Sequence, residues 1–100
     1  MTIVRCKIRE HQPAMPNFGP LVNLEYSSES DMSWEEARVF LKGGSLLLKV
    51  ESPSGILTIP TVVETANSFT GHPVMLASLG EGFDVSLVPE GCTAWIERLR

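Results

Sequence analysis

One hundred residues, 43% apolar and 20% charged, are enough for one hydrophobic core and one domain, here taken as 1–100. No apolar run approaches the roughly 20 residues of a membrane helix. The opening M-T-I-V-R-C-K-I-R-E alternates apolar with basic groups, unlike a signal peptide, so a cytoplasmic location and no membrane partner are expected. The net charge of −4 is unevenly placed: residues 1–50 carry six basic and six acidic groups, residues 51–100 two and six, with no Lys or Arg between Lys49 and Arg98. A phosphate-binding groove needs a basic stripe that the second half lacks, which argues against nucleic acid.

Residues 3–9 alternate with period two, turning Val4, Cys6 and Ile8 to one face and Arg5, Lys7 and Arg9 to the other, which predicts a half-buried strand. A row of cations is most simply a solvated face opposed by acids on a neighbouring strand. Residues 10–20, with three prolines and a glycine, predict an irregular loop carrying Met15 and Phe18. His11 in this loop has no motif partner and reads as a surface imidazole. A second strand follows at 21–26, with Val22, Leu24 and Tyr26 inward and Glu25 outward.

The helical signal lies in Asp31–Gly44. Ser33 and Glu36 have capping-box spacing, and Trp34, Ala37, Phe40 and Leu41 fall in one sector at 100° per residue. Gly43 and Gly44 supply a stop. One short helix, about 33–42, is expected to lie by this stripe across a sheet, with Val39 off the stripe.

Beyond it only strands are predicted. Residues 45–50 and 56–63 flank E-S-P-S-G and read as a hairpin of central strands covered on both faces, although Pro60 requires an edge, a bulge or an early end there. Residues 64–73 read as a polar loop collecting Asn67, Thr70 and His72. Residues 74–79 and 83–88 read as a second hairpin, with Phe83, Val85 and Leu87 inward and Asp84 outward. In the final strand, 92–99, Trp95 and Leu99 oppose Cys92, Ala94 and Ile96, so it either sits inside the sheet or meets another subunit.

Motif chemistry is sparse. Two histidines and two separated cysteines give no metal-ligand spacing, and the glycines close rather than open the helix, so neither metal nor cofactor is expected. His72 with Ser68 or Thr70 and Asp84 makes a nucleophile–base–acid trio only if folding gathers them, as does a Glu64–Asp84 carboxylate pair. Cys6 and Cys92 read as two free thiols; a disulfide would require adjacent terminal strands and an oxidising compartment.

The resulting expectation is a mainly β, α+β domain: a curved antiparallel sheet or partly open barrel of about six to seven strands with one helix packed on it, over one opening. Its expected function is that of a small accessory protein of bacterial or phage type, a non-catalytic interaction module with a protein partner. Met15, Phe18 and Val39 are the candidate partner contacts, and exposed edges suggest a homodimer. The alternative is a ligand-binding or enzymatic half-barrel with the 64–73 loop at its mouth, using Asn67, Thr70, His72 and Asp84.

Overall fold

The computed structural model describes residues 3–15, 19–30, 32–42, 45–69, 71–80 and 82–98, with side chains described outside 12–15 and 69. Six strands close into an antiparallel barrel: β1 (Val4–Met15), β2 (Gly19–Tyr26), β3 (Leu46–Ser52), β4 (Gly55–Phe69), β5 (His72–Ser78) and β6 (Thr93–Arg98), in the ring order β1-β2-β5-β4-β3-β6. The mainly β expectation with a barrel-like sheet holds; the barrel is closed rather than partly open, and has six strands.

Alternation in the sequence becomes inside and outside of the ring. Val4, Cys6 and Ile8 of β1, Leu46, Leu48 and Val50 of β3 and Ala94 and Ile96 of β6 are buried, together with Val22, Leu24, Ile59, Met75 and Ala77 of the remaining strands. A ring this narrow leaves room for side chains and little else. Lys7 stands opposite Glu25 across β1 and β2, as expected of a solvated charged face.

Both mouths are crossed by the chain itself. In the ring of six, β2 and β3 are diametrically opposite, and so are β5 and β6. Antiparallel pairing puts the first crossover, 27–45, at one end and the second, 79–92, at the other. The helix α1 (Trp34–Phe40) lies in the first crossover. Its capping box forms as predicted: the Glu36 amide donates to Ser33 Oγ at 3.2 Å and the Ser33 amide to Glu36 Oε1 at 3.1 Å. Ala37 and Leu41 are buried in the core, while Trp34 and Phe40 are half-buried. Trp34 packs on Tyr26 with ring centroids 5.2 Å apart, and the Tyr26 hydroxyl donates to the Met32 carbonyl at 2.5 Å. Arg98 donates to the Phe40 carbonyl and sits 4.7 Å over the Phe40 ring, tying the helix C-terminus to β6. The stripe is therefore a stopper in a barrel end, the placement expected for a barrel with its helix over one opening.

At the opposite mouth, Leu79 and Val88 are buried, and the crossover is stitched to β1 and β2. The Leu79 amide donates to Pro20 O at 3.0 Å, the Gly91 amide to Ile8 O at 2.7 Å and the His11 amide to Glu90 Oε2 at 2.9 Å. The His11 ring pairs through Nε2 with Val88 O at 2.5 Å, so it pins the plug rather than facing only solvent.

Four expectations are corrected. Residues 10–15 belong to β1: Pro13 falls in a register shift between Gln12 and Met15, where no ladder bond is needed from its missing N–H. Most of 64–73 belongs to β4 and β5. Asn67 pairs with Val74, level with the last β2–β5 pair, Glu25↔Val74, and Ser68 pairs with Pro73 one step beyond it, so the tip of this polar hairpin projects past the barrel rim. Residues 83–88 do not form a strand. The Asp84 carboxylate accepts from the Ser86 amide at 3.0 Å and the Ser86 hydroxyl at 2.6 Å, an Asx-type arrangement that folds Val85–Leu87 into a 3-10 turn and leaves Val88, not Leu87, buried. Finally, β4 is bare outside: Ile56 is 60% and Val62 53% exposed, so it is not a strand covered on both faces. The Gly43–Gly44 stop lies outside the described residues.

Pro60 meets its requirement. β4 pairs with β3 through Thr61 and with β5 from Val62 onward, so the proline stands just before the strand changes partner, with a bulge following between Val63 and Thr65. The apolar terminal strand sits within the ring between β1 and β3, with Ala94 and Ile96 inside and Trp95 outside.

Candidate functional site

The predicted ligand set is divided by the topology. Asn67 and His72 are exposed on the β4–β5 hairpin at the α1 end, whereas Asp84 is exposed in the crossover that closes the other end. Ser86 holds the Asp84 carboxyl below the usual carboxylate range through side-chain and backbone hydrogen bonds, which makes it a turn-former. Thr70 and Phe18 lie outside the described residues, and Met15 is described in its backbone alone. Val39 is 69% exposed on α1.

Among the described residues, three depressions on the outer surface stand out, and none of the three includes Asn67, His72 or Asp84. The largest, about 360 Å³, is lined by Ile3, Arg5, Glu51, Trp95 and Glu97. Register explains it: Trp95 stands opposite Arg5 on one side and Lys49 on the other, so one outward row reads cation, indole, cation. The Trp95 indole donates to Glu97 Oε2 at 2.7 Å, which holds the ring half-buried against the wall. Sequence phase alone left Trp95 ambiguous, because a strand apolar on both faces does not say which face the ring encloses.

The second depression, about 270 Å³, lies over the outer side of β4, where Pro60 and Val62 meet Leu46, Ser78 and Gly80. Thr58 pairs with Lys49, and Lys49 with Trp95, so this apolar stretch and the Trp95 row belong to one continuous wall.

The third is a groove of about 120 Å³ between α1 and β4, with Arg38, Leu41 and Lys42 on the helical side and Val63, Glu64, Thr65 and Ala66 on the strand. Because β3 begins at Leu46 opposite Thr61, the β4 edge turned away from β5 beyond that point pairs with no described strand.

The thiols offer no reactive centre at Cys6: burial pushes it from its ordinary 9.0 up to about 12. Among the described residues, no group of three or more His, Cys, Asp or Glu is placed to hold a metal ion. No described helix is long and apolar enough to cross a membrane. No family model, no curated protein and no solved structure shows significant similarity to the chain.

Proposed function

We propose that the chain is a non-catalytic protein–protein interaction module that works through the outside of its barrel. The observation that carries this reading is the outer side of β4, which displays Ile56, Pro60 and Val62 to solvent along a strand whose inner side faces the core. Aliphatic side chains held out on a rigid strand bury apolar area on docking without first paying for ordering. The adjoining Trp95, flanked by Arg5 and Lys49, is of the residue type that dominates interface energetics. Leu87, 55% exposed at the far plug, lies outside this wall.

Site-specific photo-cross-linking in the native cell tests the reading. A benzophenone side chain replacing Val62 is expected to give a discrete adduct with another polypeptide, absent when the probe replaces the exposed Glu29. Failure of Ile56, Val62 and Trp95 positions to yield any discrete adduct would overturn it. So would a metabolite that raises the melting temperature of the wild type but not of His72→Ala.

A further inference from the structure

The unpaired stretch of β4 beside α1 deepens that reading, on which it rests. Past the bulge, Thr65–Phe69 runs in regular register with Leu76–His72 of β5, so alternate residues turn N–H and C=O groups toward the opposite edge. No described strand meets that edge, and no backbone-to-backbone hydrogen bond of Val62–Ser68 other than the β5 ladder occurs among the described residues. Native sheets normally cover, charge or bulge such edges because they template added strands. Here the bulge at Val63/Thr65 and Glu64 protect the foot of the strand, and the five residues beyond it keep a regular edge.

We propose that this edge accepts an extended segment of a partner protein as an added strand, one whose acidic side chain is held between Arg38 and Lys42. The shape of the site selects the occupant. A row of backbone donors and acceptors is complemented by an extended chain, while the groove against α1 gives one side chain of that chain a place to lodge. Charge selects the chemistry: Arg38 and Lys42 are both exposed on the helical wall, against the single carboxylate of Glu64. A second copy pairing through the same edge fits less well. Paired antiparallel about Asn67, its Phe69 and Ser68 would stand opposite the groove residues Thr65 and Ala66, and neither is an acid that could meet the two cations.

A phage-displayed library of random dodecapeptides, selected on the intact chain, tests the proposal. Enriched peptides are expected to share an Asp or Glu within a run of strand-forming residues. Their affinity should fall about tenfold or more for the Arg38→Glu/Lys42→Glu variant, as expected when charge-assisted contacts are removed, and should weaken with salt. The milder Arg38→Gln/Lys42→Gln pair should show the same ranking, and both pairs should keep the wild-type melting temperature. Peptide binding should slow amide exchange within Thr65–Ser68. Enriched peptides indifferent to both charge variants, or protecting Lys49 and Trp95 instead, would overturn the edge site while leaving an interaction module standing. A library yielding no peptide above background would overturn it too. So would concentration-dependent protection of Thr65–Ser68 in the chain alone, which would give the edge to a second copy.

Discussion

Cys6 and Cys92 are brought to adjacent strands and still kept apart. Cys6 faces Ala94 across β1 and β6, while the Ile8 amide donates to the Cys92 carbonyl at 2.9 Å, so the thiols are diagonal rather than opposite. Diagonal positions in an antiparallel pair lie about 7–8 Å apart, beyond the roughly 6.8 Å that a disulfide spans between Cα atoms. Both cysteines are free. With the Cys6 thiol fully buried and pushed up to about 12, brief treatment with N-ethylmaleimide at pH 8 should add one label to the native protein, at Cys92, and two after denaturation. Two labels on the native protein would contradict this. The same burial sets a pH dependence. The unfolded thiol ionises near 9.0 and the folded one near 12, so unfolding releases a proton between these values. Stability contributed by the neutral thiol is intact below about pH 9 and falls above it, at about 1.4 kcal/mol per pH unit. Urea titrations should therefore show a shallower decline above pH 9 in Cys6→Ala than in the wild type, whatever the substitution costs at pH 7.

Among the elements, α1 was legible because its signals are local. Ser33 and Glu36 sit three residues apart, and the box they form depends on nothing outside the first turn. Ser33→Ala should cost about 1 kcal/mol, a loss of about 4–8 °C in melting temperature for a chain of this length. Glu36→Gln, which can still reach the Ser33 amide, should cost much less. Strand limits were less legible, for the same reason in each case: a ladder bond on a distant strand decides whether a polar or proline-bearing stretch stays extended. Pro13 passes within β1 because the register slips there, and Thr65–Ser68 stay in β4 because β5 returns alongside. Conversely, D-V-S-L looked extended by alternation, and the Asp84 carboxylate overrode that pattern by binding the Ser86 amide two residues on.

At the scale of the whole molecule, the expected site dissolved and a different surface emerged. Chemistry alone groups Asn67, His72 and Asp84 in the sequence; the crossovers run across diameters and send Asp84 to the opposite end from the other two. That arrangement is non-local and no spacing in the chain encodes it. What the sequence did carry was the inside-out division of each strand, and with it the filled interior. The outward row of Arg5, Trp95 and Lys49 exists only because β6 lies between β1 and β3, and the bare wall of β4 continues from it. Closure by β6 is thus the feature on which the interior, the plugs and the outer wall together depend. Native-state amide exchange followed by NMR tests it most directly. If the ring is closed, amides of Ala94–Glu97 should exchange as slowly as those of Leu48–Val50, within about tenfold, since both belong to one cooperative unit. Exchange in β6 about a thousandfold faster than in β3, as in a fraying terminal strand, would mean an open barrel and contradict the account.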